Sequence, residues 1–386
     1  MDEIEDRLRD LWNLGRNLVL AWCPHEQGIR VLVMPNYIIA AIGEEMREDE
    51  DKAAAGDSDH SFVQSIFAGK KLVTPDRLFE MSQRFSSEPS FIALSFRPGA
   101  DMPLELIDDV VDRYGLTYVE DRAVALFDIV GFSLYSPLEQ VAQLNSLAYS
   151  MNSAHSKMLT KEMDINFTRT TTGDGFYVWN RDRSIQANVN LYHFMHLVLA
   201  DNAIARRKSN GNVTPMLRAC FHVGGHYEFH QAEGLNPTTY SYIVGDVTIE
   251  LARLIDHALA GQIVLGDFQV PMPDEKTGEM VRVDPVDFIE RTQKTLSSLE
   301  GLALSGEAID AIKCYLTGAQ NIDGDFTIKK YLVTDKHGLS RHAYNAKVNI
   351  YRENSDPIYL GVQDSELENF APVVVDDDLF RDLMTA

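Results

Sequence analysis

The order of predicted strands and helices between residues 114 and 270 is the feature that most constrains the fold of this chain. Residues 122–129 form an apolar run that is typical of a buried strand. Ser136, Pro137 and Glu139 then give the start signal of a helix, with an N-cap serine, a proline at the first helical position and a glutamate at the third. Apolar residues follow at helical spacing, at Leu138, Val141, Leu144, Leu147 and Met151.

Two more strands and a second helix complete the pattern. Residues 165–171 and 176–179 are typical of strands, and Gly173-Asp174-Gly175 between them is a hairpin turn signal. A helix at 184–207 and a strand at 216–223 are predicted next. A short strand, a helix and a last strand follow at residues 240–244, 248–260 and 263–265. The β-α-β-β-α-β order predicts an α+β fold of the ferredoxin-like type, in which an antiparallel sheet carries helices on one face.

Three regions are predicted along the chain. Residues 1–113 form an N-terminal accessory or regulatory region without a catalytic motif, and an acidic stretch within it, residues 44–61, is predicted to be a flexible loop. Residues 114–270 form the domain described above. Residues 271–386 form a C-terminal region, with a helix predicted at 286–316 and strands after it.

The charge and the apolar pattern exclude several classes of protein. The formal net charge of −23 argues against a broad surface that tracks the phosphates of a nucleic acid. No apolar run approaches the roughly 18–20 residues of a membrane span, and the acidic N-terminus lacks a signal-peptide pattern, so we expect a cytoplasmic protein with no membrane partner. The cysteines are odd in number and far apart, and we expect free thiols at Cys23, Cys220 and Cys314.

Two acidic residues stand where the predicted fold brings its central strands together. Asp128 ends the first predicted strand, and the helix start after it offers N–H groups that suit a triphosphate. Asp174 lies in the predicted hairpin, which neighbours the first strand in a ferredoxin-like sheet. Taken alone, Asp128 could be a helix cap and Asp174 an ordinary turn residue. Together they predict a site at which two carboxylates hold divalent cations against phosphate.

Three segments carry a resemblance to a known family: residues 127–133 (FDIVGFS), 172–175 (TGDG) and 245–253 (GDVTIELAR). They resemble the signature segments of class III nucleotidyl cyclases. The resemblance implies that Asp128 and Asp174 bind two metal ions, Mg²⁺ or Mn²⁺, and that Arg253 offsets charge on the transferring phosphoryl group. It also implies a homodimer in which opposite subunits supply the aspartates and the arginine. The alternative for Arg253 is an ordinary residue on a helix surface.

The sequence departs from the purine-reading residues of that family at three positions. Thr170 and Tyr242 stand where adenylyl cyclases carry the lysine and aspartate that read adenine, and Ile249 replaces an asparagine near the ribose. The glutamate and cysteine pair expected of guanylyl cyclases is absent as well. Because the bulky Tyr242 would shrink a purine pocket, we expect a smaller, pyrimidine base. The alternative is that Tyr242 packs in the dimer interface.

A narrower resemblance concerns the C-terminal region, around Lys336-His337-Gly338, 344–351 (YNAKVNIY) and 357–361 (PIYLG). With the cyclase segments it looks like the Pycsar antiphage pyrimidine cyclases, with a C-terminal sensor domain of the AGS-C type. The resemblance implies conversion of UTP to cyclic UMP, which activates a partner effector in antiphage defence.

The predicted triphosphate-binding N–H groups are those of Ile129, Val130, Gly131, Phe132 and Ser133.

Several alternatives stay open. The substrate could be CTP or a purine nucleotide, and the domain could be an inactive nucleotide-sensing module. A diguanylate-cyclase-like domain is disfavoured, because the required Gly-Gly-Asp/Glu-Glu-Phe turn is absent. His222, His226 and His230 could bind zinc, although scattered strand histidines are the more ordinary reading. A ligand-sensing patch or ordinary turn residues are equally open readings for Lys336, His337 and Asn345.

Overall fold

The computed structural model describes residues 2–38, 67–232, 239–274, 276–319, 327–335, 338–369 and 373–376. The loop predicted at residues 44–61 and the residues Lys336 and His337 lie outside this part of the chain. The chain divides into two compact units. The first contains Met1–Glu120 and Gly225–Val244, and the second contains Asp121–Gly224 and Gly245–Ala386.

The first unit contains a three-stranded antiparallel sheet with helices packed against it. Its early elements are α1 (Asp2–Trp12), β1 (Asn17–His25), β2 (Gly28–Pro35), α2 (Pro75–Arg84), β3 (Ser90–Ala93) and α3 (Leu104–Asp112), with strand order β1-β2-β3. Trp22 is fully buried, and its indole N–H donates to the Asp108 carboxylate over 2.7 Å. That hydrogen bond satisfies the indole donor inside an apolar core.

The second unit is built on the strand and helix order predicted from the sequence. Its elements are β4 (Leu116–Ile129), α4 (Pro137–Leu159), β5 (Phe167–Thr171), β6 (Gly175–Asn180), α5 (Ile185–Lys208), β7 (Leu217–Ala232), β8 (Thr239–Val244), α6 (Asp246–His257) and β9 (Ile263–Gly266). Of these, β8, the first residues of β4 and the last residues of β7 belong to the first unit. The strands run in the order β9-β7-β4-β6-β5, and the predicted α+β, ferredoxin-like arrangement is confirmed.

Local sequence signals explain where the two long helices of this unit begin. The Ser136 side chain accepts from the Glu139 N–H, and the Glu139 carboxylate accepts from the Ser136 N–H, so the predicted capping box is present. Helix α5 begins at an N-cap serine, Ser184, and is buried around most of its circumference. It lies between the sheet and a later helix, since the Tyr192 ring contacts both Phe221 and Phe288.

The C-terminal residues extend the same sheet. They form β10 (Val270–Pro273), β11 (Met280–Val283), α7 (Pro285–Leu296), β12 (Ala303–Leu304), β13 (Glu307–Leu316), β14 (Lys330–Thr334), β15 (Ser340–Arg352), β16 (Ser355–Leu360) and β17 (Val373–Asp376). Strand β15 pairs antiparallel with β9, and residues from β13 and β15 share one hydrophobic core with those of β4 and α5. None of the helices described is both long and apolar enough to cross a bilayer.

The helix predicted at 286–316 is wrong beyond about its first third. Helix α7 ends at Leu296, and Gly301 and Gly306 then take left-handed backbone angles, with φ of 75° and 90°. A helix interior does not accommodate such angles. Strand β13 follows, with apolar residues such as Ile309 and Ile312 turned into the core.

Candidate functional site

One predicted metal ligand, Asp128, lies on a strand, and the other, Asp174, lies in the hairpin turn before the adjacent strand. Asp128 near the end of β4 pairs with Gly175 at the start of β6, and the Ile129 N–H donates to the Asp174 carbonyl over 3.0 Å. Gly175 permits this pairing, because a Cβ atom there would lie 2.0 Å from the Phe127 carbonyl oxygen. The predicted hairpin between β5 and β6 is also confirmed. The structure therefore brings the two aspartates together at one end of the central strands.

The Asp128 carboxylate is buried and paired with an arginine. Arg218, on the neighbouring strand β7, donates through Nε to Asp128 over 2.6 Å and through Nη1 to the Ala258 carbonyl over 2.9 Å. Burial raises the pKa of Asp128, the Arg218 hydrogen bond and charge lower it, and the charges of Asp174 and Asp256 raise it further. The ion pair and burial therefore act on this carboxyl in opposite directions.

Sequence reasoning did not single out Arg218. The available signal was a charged residue inside an otherwise apolar strand, at residues 216–223. A buried charge of this kind requires a partner. No sequence pattern indicates that Asp128 is this partner, because the pairing depends on β4 and β7 being neighbours in the sheet.

The donor set suits a hard divalent cation. Asp174 is half-buried, and its carboxylate accepts from the Thr172 hydroxyl over 3.2 Å. Within the ranges that the structure describes, no three His, Cys, Asp or Glu side chains cluster so that they could hold a metal ion by themselves. Mg²⁺ is commonly bound by one or two carboxylates together with substrate phosphates and water. Asp128 and Asp174 fit that role, provided that the metal replaces Arg218 as the partner of Asp128.

The turn after β4 leaves part of its backbone open to an anion. The Val130 N–H donates to the Met216 carbonyl over 2.9 Å, and the Ile129 N–H donates to the Asp174 carbonyl. Gly131 has a φ of 68°, and Phe132–Leu134 form one turn of 3₁₀ helix. Of the five N–H groups predicted to bind triphosphate, those of Gly131, Phe132 and Ser133 form no backbone hydrogen bond within the described part of the chain.

Arg253 lies on α6 and belongs to a network of charged side chains. Its guanidinium contacts the buried Asp335 carboxylate, which follows β14. Arg341 on β15 contacts Asp335 over 3.2 Å and Glu250 over 2.6 Å. The two arginines and two carboxylates balance one another in charge. Arg253 is therefore not an isolated residue on a helix surface, since its charge is already neutralised by the C-terminal region.

The predicted base-reading residues belong to different units. Thr170 on β5 pairs across the sheet with Tyr177, and the Tyr177 hydroxyl donates to the Thr248 carbonyl over 3.1 Å. Burial raises the pKa of Tyr177 to about 12, so this hydroxyl stays protonated. Ile249 is exposed. In the first unit, the Tyr242 ring stacks on Phe229 at a centroid distance of 5.8 Å.

The other residues noted in the sequence have ordinary structural surroundings. His222 is buried against Phe268, and burial lowers its pKa to about 4. His226 and His230 belong to the first unit, while His222 belongs to the second. Asn345 is buried: its amide donates to Thr317 and to a carbonyl, and it accepts from Gln262. These contacts account for Asn345 without a ligand.

Comparisons with known proteins give structural likenesses at low identity. No family model matches the chain, and no curated relative matches it. The guanylate cyclase domain of RhGC from Catenaria anguillulae, in complex with GTP, is 16% identical with a TM-score of 0.31, covering 42% of this chain and 94% of that domain. The adenylyl cyclase CyaB from P. aeruginosa is 13% identical with a TM-score of 0.33, covering 62% and 97%.

Proposed function

We propose that this protein is a nucleotidyl cyclase that converts UTP to 3′,5′-cyclic UMP and pyrophosphate. The observation that carries the proposal is the pairing of β4 with β6, which sets Asp128 beside the hairpin residue Asp174. Both residues fall in segments that resemble class III cyclases, and their carboxylates form a donor set that suits Mg²⁺ or Mn²⁺. Two such ions would activate the 3′-hydroxyl and neutralise charge on the pyrophosphate.

The chain's own groups have defined tasks in this reaction. The open N–H groups of Gly131, Phe132 and Ser133 receive the triphosphate, next to the positive charge of Arg218. The 3′-oxygen forms a bond to the α-phosphorus, the bond from that phosphorus to the β-phosphate oxygen breaks, and the hydroxyl proton passes to solvent. Arg253 stabilises the charge on the transferring group, for which it must exchange Asp335 for phosphate.

The proposed assembly is a homodimer with two composite sites. Opposite subunits would supply the aspartate pair and Arg253, as the class III resemblance implies. Residues 114–270 would catalyse the reaction, residues 1–113 would be accessory, and residues 271–386 would act as the sensor. The contact between Arg253 and Asp335 supports a role for the C-terminal residues in controlling the catalytic arginine.

The choice of UTP rests on the residues at the base positions. Thr170 and Tyr242 replace two charged residues with a hydroxyl and a large ring, which disfavours a purine site. Because a threonine hydroxyl both donates and accepts, CTP is the second candidate. A cytoplasmic antiphage role, with cyclic UMP activating an effector, follows from the resemblance to the Pycsar cyclases.

The test is incubation of the full chain with each of the four nucleoside triphosphates and Mg²⁺ or Mn²⁺, with chromatography of the products. We expect cyclic UMP from the unmodified chain and from Asp310→Ala, a control that removes an exposed carboxylate on β13. Asp128→Ala and Asp174→Ala should each abolish product while preserving the circular dichroism spectrum. Normal turnover by either variant would refute the metal assignment, and a purine product would refute the substrate.

Composite sites have a separate test. A mixture of Asp128→Ala and Arg253→Ala chains should recover activity, because each heterodimer would hold one intact site. Absence of recovery, when heterodimers are shown to form, would contradict sharing of the site between subunits.

A further inference from the structure

A cavity of about 410 Å³ lies in the second unit. Leu217 lines this cavity, and the next residue, Arg218, holds the Asp128 carboxylate. Successive strand residues point to opposite faces of a sheet. The cavity is therefore separate from the candidate catalytic site, although both share one strand.

A buried amide oxygen beside this cavity has no hydrogen-bond partner among the described residues. Asn202 on α5 lines the cavity and is only 5% exposed. Its Nδ2 donates to the Pro215 carbonyl over 3.0 Å, but its Oδ1 has no hydrogen-bond partner among the described residues. Buried acceptors are rarely left without a donor, because burial without a hydrogen bond is unfavourable. Because the oxygen itself is buried in this conformation, a bound molecule can donate to it only if the Asn202 side chain turns toward the cavity.

Two adjacent arginines border the same cavity. Arg206 and Arg207 lie in the last turn of α5 and are exposed. In the described ranges, neither guanidinium forms an ion pair, although the chain carries a net charge of −23. The helix dipole favours basic residues at a helix C-terminus, but it does not account for a buried, unpartnered amide oxygen beside them. Two unpaired guanidinium groups are suited to a phosphate group.

An aromatic side chain supplies the third feature. Tyr359 on β16 lines the cavity and is 57% exposed. Met216 and Leu360 extend the apolar wall beside it. A flat, exposed ring of this kind provides a surface on which a planar heterocycle can stack.

We propose that this cavity binds a nucleoside monophosphate, linear or cyclic. The phosphate lies against Arg206 and Arg207, and the base stacks on Tyr359. An N–H group of the base or an O–H group of the sugar donates to Asn202 Oδ1 once the Asn202 side chain turns toward the cavity. A cavity of about 410 Å³ is within the usual range of small-molecule sites. The proposal does not depend on the cyclase activity, because no group of the catalytic site takes part.

The test measures binding to the full chain by isothermal titration calorimetry. The probes are UMP, cyclic UMP, ribose 5-phosphate and inorganic phosphate. EDTA is present, and the Asp128→Ala background weakens binding at the catalytic site. We expect UMP or cyclic UMP to bind with a stoichiometry of one molecule per chain. Ribose 5-phosphate and inorganic phosphate should bind at least about ten-fold more weakly, because they lack the base.

Substitutions then assign the binding to this cavity. Arg206→Gln with Arg207→Gln should weaken binding at least about ten-fold, whereas Arg7→Gln with Arg16→Gln removes two exposed arginines of the first unit and should change nothing. Tyr359→Ala should also weaken it, and this exposed position tolerates truncation. Equal nucleotide affinity in the Arg206/Arg207 variant and its control would overturn the proposal. So would nucleotide binding no tighter than that of inorganic phosphate, or no nucleotide binding at millimolar concentration.

Discussion

Acid should destabilise the second unit, because three of its histidines are buried in the neutral form. Burial lowers the pKa of His193 to about 4, of His196 to about 3 and of His222 to about 4. In the unfolded chain a histidine has a pKa near 6.5. The folded pKa values are depressed, so the stability is fully present above about pH 6.5 and is lost as the pH falls toward the folded values.

The size of the effect follows from the same values. At pH 5, about 1.5 units below the unfolded pKa, protonation lowers the free energy of the unfolded state by about 2 kcal/mol for each histidine. The folded state stays neutral and gains no such stabilisation. The three sites together give about 6 kcal/mol between pH 7.5 and pH 5, a large fraction of the stability of a typical domain.

His196 is the most informative position for testing this prediction by substitution. Its ring is fully buried against Tyr192, and neither ring nitrogen has a hydrogen-bond partner in the described structure. His196→Leu should therefore be neutral or stabilising at pH 7.5. Between pH 7.5 and pH 5 it should lose about 2 kcal/mol less free energy of unfolding than the unmodified chain.

Urea unfolding followed by circular dichroism at several pH values measures this difference. His25→Gln is the control, because it removes an exposed histidine in place of a buried one. If His196→Leu and the unmodified chain lose the same free energy between pH 7.5 and pH 5, His196 is not buried in the neutral form and the reasoning fails.

Three further predictions concern the pairing of β4 with β6, the charge network of Arg253 and the cysteines. Gly175→Ala should prevent native folding or cost more than about 3 kcal/mol in urea unfolding, because the added Cβ would meet the Phe127 carbonyl oxygen at 2.0 Å. Gly224→Ala is the control, because its added Cβ would meet its first neighbour, Val247, at an ordinary contact distance of 3.5 Å. Asp335→Asn should raise kcat/KM about two- to five-fold by easing the release of Arg253, and a loss of activity would instead assign Asp335 a supporting role. A thiol reagent should label no cysteine rapidly in the native chain and every cysteine in urea, because all are buried; rapid native labelling would contradict the placement of Cys23, Cys220 and Cys314.

The sequence predicted the elements whose signals are local. The capping box at Ser136 and Glu139 and the hairpin at Gly173-Asp174-Gly175 each depend on a few consecutive residues, and the structure contains both. Residues 303–316 were misassigned, because their apolar residues fit both a helix and a strand until the glycine turns before them are considered.

The site was predictable only where local signals and strand order sufficed. The neighbouring positions of Asp128 and Asp174 follow from the order of the strands, which the sequence pattern predicts. The partners Arg218 and Asp335 do not, because each meets its counterpart through tertiary contacts between residues that are 90 and 82 positions apart. No periodicity or motif in the sequence indicates such a contact between distant residues.

The arginines of one candidate site are paired with carboxylates, and those of the other are not in the described ranges. This difference predicts that only the first site needs a metal ion to bind phosphate. Arg218 and Arg253 are both neutralised by carboxylates, and Asp174 and Asp256 add negative charge around Asp128. A triphosphate approaching that site alone would meet a net repulsion, so its binding should require a divalent cation. Arg206 and Arg207 carry no such neutralising partner in the described ranges, and a monophosphate should bind beside them in EDTA. A chelator should thus abolish triphosphate binding at one face of β7 and leave monophosphate binding at the other unchanged.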